Sequence, residues 1–401
     1  MPLTSARVSW AYRLSSGLAM VGLTAATFAA TVITNEYGGA SFGALLTAVW
    51  IALLVAGRLL VAPYLPLVIR TFGARRTFLA VKVLSVALWL LLGALLQAGV
   101  VGATSLYVTA PLFGAIAAFA ASLTTLYSAA YINRHEVSGA LARMAVVRGG
   151  AVALGAALAG LLVITVGPAW ALMARGAFEV PLVLVLLLLR PGEEPRSPTA
   201  SRRVWRGLRD DILGNSNLRL LVILGMGLTF FAMPFSELLV PISAQLRPTE
   251  TIQGAALLVA SIALGQTLSV SPVDALRVRY TPAKSAALAG AARGLALLVF
   301  GLSALVTAGG WELAVWAVIG LGFGAARAAS GALMTGAAVA SVVKENSSRA
   351  LVAFSFACAL TNPIGVLTWG SLITLVGVEW TLLFGAFGVL TVSAYVLKRT
   401  R

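Results

Sequence analysis

Charge is scarce in this chain of 401 residues, because only 10% of them are charged while 60% are apolar. A soluble globular domain has roughly 25% charged residues, so the composition excludes an ordinary soluble protein and predicts one that resides in a lipid bilayer. The formal net charge is nevertheless +16. The basic residues are not interleaved with aromatic residues on one polar domain, as a nucleic-acid surface requires. We therefore expect no nucleic-acid partner.

Cysteine and histidine are almost absent. The single cysteine, Cys358, excludes an intrachain disulfide and a multi-cysteine metal site. The single histidine, His135, falls in a predicted loop, so no Ser/His/Asp triad or metal cluster can form around it inside the membrane. No glycine-rich loop followed by Lys-Ser or Lys-Thr occurs, which argues against ATP as the energy source. We expect no enzymatic activity, no metal and no cofactor.

Long apolar runs fill most of the chain. A helix that crosses a membrane needs about 20 apolar residues, and runs of that length occur at 14–34, 42–69, 77–99, 104–131, 144–166, 169–189, 218–243, 253–273, 285–307, 312–340, 351–375 and 380–397. The first run shows no small-residue cleavage site before its polar end, so we interpret it as a retained span and not as a secretory signal. The sequence thus predicts an all-α membrane protein with twelve transmembrane helices.

The basic residues fall mainly in alternate loops. With the N-terminus inside, the inward loops and chain ends carry nearly all of the loop arginine and lysine, whereas the outward loops carry only Arg247. Arginine and lysine are retained on the cytoplasmic side of a membrane. The sequence therefore predicts a multi-pass protein of the cytoplasmic membrane with both termini in the cytoplasm, and we expect it to be a monomer.

The longest polar break covers residues 190–217 and is rich in proline, serine and charge. It separates an N-terminal six-helix bundle (1–189) from a C-terminal six-helix bundle (218–401), with 190–217 as a cytoplasmic linker. The two halves share three tight outward turns and basic inward loops, but they have little identity letter by letter. Transporter halves related by pseudo-symmetry have this character, so we predict two pseudo-symmetric six-helix bundles.

The loop RTFGARR, residues 70–76, lies between the second and third predicted spans. It resembles the signature loop of the major facilitator superfamily, and the resemblance covers essentially the whole chain. Gly73, Arg75 and Arg76 match that signature, whereas Arg70 stands in place of its acidic residue. In the family the acid helps to latch the two halves in one state. The resemblance therefore implies that Gly73, Arg75 and Arg76 form a conformational loop with an altered latch.

Three further stretches resemble the branch of this superfamily that exports macrolides, other drugs and siderophores. They are the loop into the fifth span (134–160), the start of the seventh (207–241) and the eleventh (345–365), where Asn362-Pro363-Ile364-Gly365 stands at the place of Gly-Pro-x-Gly. The resemblance implies proton-coupled export of a small amphipathic organic molecule by alternating access. Two alternatives stay open: uptake or facilitated diffusion of an anionic nutrient, and a membrane protein that binds a partner or senses without transport.

Several charged residues fall inside the predicted spans. Each costs about 2.5–3.5 kcal/mol at the bilayer centre, so each requires a partner, water or a function. Arg175 and Glu179 are four residues apart, which predicts one helix face and mutual neutralisation; Glu179 is also a candidate for proton coupling. Lys82 is predicted to extend its charge back to the headgroups. Arg58 and Arg293 are further candidate charge partners.

Glu237 lies between Pro234 and Pro241 in the seventh span, with no basic residue near it on that helix. Proton exchange near neutral pH requires a carboxyl group that is partly removed from water, so Glu237 is a candidate for proton coupling. A solvated, idle carboxylate near the outer mouth is the alternative. In the superfamily, spans one, four, seven and ten line the central cavity. The resemblance therefore places Glu237 and Arg327 where they can contact the substrate or each other.

Four threonines, Thr24, Thr27, Thr31 and Thr34, recur at spacings of three and four in the first span. This spacing predicts one polar stripe on a helix, with Thr27 and Thr31 as candidate substrate contacts. Threonine hydroxyl groups in membrane helices also donate to carbonyl groups of their own helix, and that alternative stays open.

Overall fold

A computed structural model describes residues 5–131, 137–188, 214–306, 311–341 and 347–400. Every regular element in these ranges is helical, which confirms the predicted all-α fold. Lipid offers no partners to backbone N–H and C=O groups, so a spanning segment must satisfy them within its own helix. Eight of the described helices are long and apolar enough to cross a membrane, the first of them running from Trp10 to Tyr64, and Gly149–Thr165 and Ser216–Phe231 are shorter apolar helices.

Contacts divide the chain into two compact units, of which the first contains residues 1–37 and 53–200. The helices up to residue 188 are α1 (Ser5–Val61), α2 (Leu65–Phe72), α3 (Ala74–Gln97), α4 (Thr104–Tyr131), α5 (Val137–Thr165) and α6 (Pro168–Leu188). α1 contains the first predicted span and most of the second, and it is interrupted at Gly39, where φ is 61°. The predicted span 42–69 does not continue as one helix. Pro63 and Pro66 lie at the starts of a 3-10 helix and of α2, because proline favours a helix start and cannot continue the preceding hydrogen bonds.

The second unit contains residues 38–52 and 201–401. The helices after residue 213 are α7 (Ser216–Phe231), α8 (Met233–Glu237), α9 (Leu239–Leu246), α10 (Thr251–Thr267), α11 (Val270–Arg279), α12 (Pro282–Leu305), α13 (Glu312–Ala340), α14 (Ser347–Val376) and α15 (Val378–Arg399). The predicted eighth span, 253–273, is divided between α10 and α11. The bundle boundaries at 189 and 218 stay predictions, since residues 189–213 of the linker region lie outside the described residues, as does His135.

In the first unit, α1 and α4 approach each other through glycine. A Cβ atom at Gly57 would overlap the carbonyl group of Pro111, and one at Gly114 would overlap the carbonyl oxygen of Leu54. Only glycine permits two helix backbones to come this close. These two glycines therefore set the distance between the second and fourth spans.

The second unit repeats this arrangement between α10 and α13. A Cβ atom at Gly265 would overlap the carbonyl group of Leu321, and one at Gly324 would overlap that of Ile262. In both units each helix contributes one glycine and, three positions before it, the residue whose carbonyl group the glycine of the other helix approaches. The pairs are Leu54 and Gly57, Pro111 and Gly114, Ile262 and Gly265, and Leu321 and Gly324. The predicted internal repeat is thus present as a repeated backbone contact between corresponding spans, although the letters of the two halves differ.

We expect Gly324→Ala to lower the stability of the protein, because the added methyl group would overlap the Ile262 carbonyl oxygen. Overpacking of this kind costs about 1–3 kcal/mol, which a lower melting temperature of the purified protein in nanodiscs would reveal. Gly322→Ala is the matched control on the same helix, since its methyl group would meet nothing within 4 Å. Equal melting temperatures for the two variants would contradict the contact.

Candidate functional site

The seventh predicted span is not one continuous helix. α7, α8 and α9 are separated by non-helical backbone at Ala232 (φ −127°, ψ −21°) and Leu238 (φ −105°, ψ 25°). Pro234 and Pro241 explain the breaks, because proline has no N–H group to donate to the carbonyl four residues earlier. Pro241 therefore cannot donate the usual helical hydrogen bond to the carbonyl group of Glu237. Discontinuous helices of this kind are typical of binding sites in secondary transporters.

Glu237 is the last residue of α8 and is half-buried. Its carboxylate oxygen Oε1 accepts a hydrogen bond from Nδ2 of Asn362 in α14, at 3.1 Å. The neutral amide donor holds the carboxylate in place. The sequence points to Glu237 but not to this contact, although a polar Asn362 in an apolar span is itself a signal.

Two arginines from neighbouring helices share the electrostatic environment of Glu237. Arg293 of α12 and Arg327 of α13 each interact with the Glu237 carboxylate through charge. Arg327 is half-buried, whereas Arg293 is only 4% exposed. Glu237, Arg293 and Arg327 thus share one electrostatic environment.

The guanidinium group of Arg293 lies over the ring of Phe323, with its Cζ atom 4.9 Å from the ring centroid. A cation over an aromatic face is stabilised by about 0.5–2 kcal/mol. The buried Nε and Nη2 atoms of Arg293 donate no hydrogen bond to any atom in the described ranges. Arg293 is therefore a buried cation with part of its hydrogen-bonding capacity unused.

Phe323 belongs to a buried aromatic cluster beneath this arginine. The ring centroids of Phe235 and Phe323 are 4.8 Å apart, those of Phe235 and Phe300 5.3 Å, and those of Phe300 and Trp316 5.4 Å. Edge-to-face rings at such distances pack favourably. The cluster provides Arg293 with a rigid apolar support. Nothing in the sequence distinguishes Phe300 and Phe323 from other membrane aromatics.

In the first unit, the charges inside the spans contact one another. Nζ of Lys82 in α3 lies 2.9 Å from Oε1 of Glu179 in α6. The predicted contact between Arg175 and Glu179 is also present, at 3.9 Å from Nη2 to the same oxygen, and Cζ of Arg175 lies 4.8 Å from the ring centroid of Trp89. Arg58 adds a like charge near Arg175. Glu179 therefore has two cationic partners.

The prediction that Lys82 extends to the headgroups is wrong. Its side chain is only 7% exposed and ends at the Glu179 carboxylate, whose side chain is 2% exposed. The contact between α3 and α6 places the acid within reach of the lysine. A short ion pair compensates for the desolvation of both groups. The rotation of α6 relative to α3, which the sequence does not reveal, decides this outcome.

The four threonines of the predicted stripe all donate hydrogen bonds to carbonyl groups of their own helix. Thr27 donates to Leu23 at 2.9 Å and Thr31 donates to Phe28 at 2.7 Å; Thr24 and Thr34 do the same. Thr27 is exposed, whereas Thr31 is only 5% exposed. The hydrogen bonds match the alternative of back-bonding within the helix, and a hydroxyl group that donates in this way can still accept a hydrogen bond.

The three residues of the conformational loop have different surroundings. Gly73 joins α2 to α3 with φ of 82°, a conformation that favours glycine. Nη2 of Arg75 donates to the carbonyl oxygens of Leu186 and Leu187 at the end of α6, each at 3.0 Å. A cation at a helix C-terminus is favourable because the last carbonyl groups lack helical partners. Arg76 is exposed. Arg75 thus ties the start of α3 to the end of α6.

The succession of apolar helices and this loop match a known family. The sequence pattern described as Major Facilitator Superfamily matches residues 14–338. The chain belongs to the major facilitator superfamily. No curated protein sequence matches it. Members of this superfamily are generally carriers without enzymatic activity, so this member is a multi-pass membrane transporter, with the lipid bilayer as its surroundings and a small molecule as its substrate.

Solved structures of other transporters show the same fold. A mutant of the nucleoside transporter NupG has a TM-score of 0.78 at 12% identity, covering 98% of this chain and 100% of its own. An inward-facing bacterial homologue of the iron transporter ferroportin has a TM-score of 0.74 at 14% identity, and the match covers 99% of this chain and 100% of the homologue. The human organic anion transporter TETRAN has a TM-score of 0.65 at 15% identity, and the match covers 98% of this chain and 100% of TETRAN. The predicted architecture of twelve transmembrane helices in two pseudo-symmetric six-helix bundles is thereby confirmed.

Proposed function

We propose that this superfamily member exports a small amphipathic organic molecule, such as a drug or natural product, by proton-coupled alternating access. The two six-helix halves rock about a site near the middle of the membrane, and protons moving inward supply the energy. The likeness of the fifth, seventh and eleventh spans to the exporter branch supports the outward direction.

The environment of Glu237 carries this proposal. The carboxylate is half-buried on a short helix between two breaks, receives the Asn362 amide at 3.1 Å, and lies in the field of two arginines. Its ionisation therefore changes the charge balance of the whole cluster. We assign proton coupling to Glu237 in preference to Glu179, because Lys82 at 2.9 Å already compensates for the charge of Glu179.

The proposed substrate contacts are Glu237 and Arg327 in the second unit and Thr27 in the first. Arg327 and Glu237 are both half-buried, and Thr27 is exposed. Thr31 is a weaker proposal, since its buried hydroxyl group already donates to the Phe28 carbonyl. Gly73, Arg75 and Arg76 are proposed to act in the conformational cycle through the end of α6.

Glu237→Gln is expected to abolish proton-coupled transport. In everted vesicles acidified by respiration, a carried compound should release protons from the lumen, measured with a pH-sensitive dye, and the variant should release none because its amide cannot take up a proton. Glu237→Asp should retain part of the activity. Glu379→Gln, which changes a carboxylate at the start of α15, is the matched control.

Two results together would overturn exchange through this residue: no proton release with any compound of a broad panel, and wild-type drug tolerance of cells that express Glu237→Gln. A change in tolerance or accumulation without any proton release would instead leave transport in place and remove the coupling.

We also propose that the transporter is a monomer in the cytoplasmic membrane with both termini in the cytoplasm. The arginine-rich inward loops support this orientation. A reporter enzyme that is active only outside the cell, fused to either terminus, should give no signal; activity from either fusion would contradict it.

One observation favours a second candidate, uptake or facilitated diffusion of an anionic nutrient. Among the described side chains inside the spans, only Glu179 and Glu237 oppose a larger set of cations: Arg58, Lys82, Arg175, Arg293 and Arg327. Excess positive charge within a membrane suits an anionic solute. Exchange of labelled solute in vesicles without a proton gradient would favour this candidate.

A further inference from the structure

The unused edge of the Arg293 guanidinium group points to a ligand. A guanidinium group presents two N–H groups side by side along the edge formed by Nε and Nη2, and this edge matches the two oxygens of a carboxylate. These are the two buried atoms of Arg293 that lack an acceptor in the described part of the chain. The unsatisfied pair thus has the geometry of a carboxylate-binding fork.

Burial makes this unused edge costly for the folded protein. The Arg293 side chain is 4% exposed, and a buried charged donor without an acceptor destabilises the folded state. The Phe323 ring, 4.9 Å from Cζ, offsets only part of the cost of burying this charge. The ring contacts the cation but accepts no hydrogen bond from the Nε and Nη2 edge. Folding stability alone gives no reason to keep an arginine here.

The first unit shows how the same fold satisfies a buried arginine. Arg175 also lies over an aromatic ring, Trp89, but Glu179 stands one helical turn away on the same helix and Lys82 completes the cluster. Around Arg293, no carboxylate in the described ranges lies within ion-pair distance, and Glu237 acts on it through charge at longer range. The described part of the second unit thus has no acid next to Arg293 in the way that Glu179 stands next to Arg175.

We propose that Arg293 binds a carboxylate group of the transported molecule, which is therefore an amphipathic organic acid. The carboxylate occupies the Nε and Nη2 edge, with Arg327 as a second positive charge beside it and Glu237 at the rim of the same site. The inference rests on the proposed transport function, in either direction, and assigns the substrate class that the cluster recognises.

Arg293→Met tests the proposal without a known substrate. If the edge exists for a ligand, removing a buried cation whose Nε and Nη2 atoms have no acceptor among the described residues should raise the melting temperature of the purified protein in sodium chloride by a few degrees. Arg175→Met is the matched control and should lower it, because it removes a partner of Glu179. A lower melting temperature for Arg293→Met, or a variant that does not fold, would show that Arg293 is structural and overturn the proposal.

Formate, the smallest carboxylate, provides the binding readout. The wild-type protein should melt at a higher temperature in sodium formate than in sodium chloride of equal concentration. Arg293→Met should lose this increment, and Arg293→Lys should lose most of it, because lysine keeps the charge but not the fork. No increment in the wild type, or one that persists in Arg293→Met, would overturn the proposal. Neither melting-temperature measurement depends on proton movement. A negative result for carboxylate binding at Arg293 can therefore be distinguished from a negative result for proton coupling at Glu237.

Discussion

Lys82→Met should destabilise the protein by about 3–5 kcal/mol, which is the usual effect of removing one partner from a buried ion pair. The substitution leaves the Glu179 carboxylate, whose side chain is 2% exposed, with only the more distant Arg175 at 3.9 Å. The expected result is a large fall in melting temperature and in the yield of folded protein from membranes.

The double variant Lys82→Met/Glu179→Gln is the matched control. It removes both charges of the short pair, so it should recover most of the lost stability, because a buried pair can often be replaced by neutral residues with little loss. If Lys82→Met alone melted at the wild-type temperature, the lysine would not be paired with Glu179, and its charge would reach the headgroups after all.

The affinity for the transported molecule should rise with pH in the wild type and be independent of pH in Glu237→Gln. In proton-coupled export, the transporter must bind either the proton or the transported molecule, and not both at once. The ionised Glu237 carboxylate can accept a strong, charge-assisted hydrogen bond from the molecule, and protonation weakens that acceptor and turns one oxygen into a donor. For one competing proton, the affinity falls by up to about tenfold per pH unit on the acid side. Equilibrium binding to the purified protein across a pH series measures this slope.

The opposite slope would favour the second candidate. Protonation of Glu237 removes its negative charge from the environment of Arg293 and Arg327, so an acidic molecule that makes no contact with Glu237 would bind more tightly at low pH. Proton and molecule would then travel together, as in uptake. If an organic acid is exported in exchange for protons, it must therefore carry, besides its carboxylate, a second group that donates a hydrogen bond to Glu237. The sign of the change in affinity with pH therefore distinguishes proton-coupled export from uptake. The proposed carboxylate site at Arg293 is compatible with both.

The fold was predictable because lipid limits the chain to helices, and because apolar length, glycine and proline reveal where helices begin and end. The interruptions within the seventh and eighth spans were harder to predict. Pro234 and Pro241 are visible in the sequence, but proline inside a membrane helix does not by itself distinguish a kink from a break. The short α8, which carries Glu237, required coordinates.

The candidate site was predictable in its residue types and not in its contacts. Glu237, Arg293 and Arg327 are conspicuous because charge is rare in the spans. Which charge meets which depends on helix rotation, and a periodic pattern leaves that rotation undetermined when nearly every face is apolar. For that reason Lys82 was assigned to the headgroups, and Asn362 was not recognised as the partner of Glu237.

The glycine contacts of the two units also fix how the halves superimpose. Phe113 immediately precedes Gly114, as Phe323 immediately precedes Gly324, so the two rings occupy equivalent places in a duplicated framework. In the first half the ring is stacked on Trp89, with centroids 3.9 Å apart, whereas in the second it lies under Arg293. The same place in the repeat thus carries a Trp–Phe stack in the first unit and a cation over the ring in the second, where Phe235 also packs against Phe323. The buried arginine of the first unit, Arg175, lies over Trp89 instead, so the two units place a cation on different rings of the same backbone arrangement.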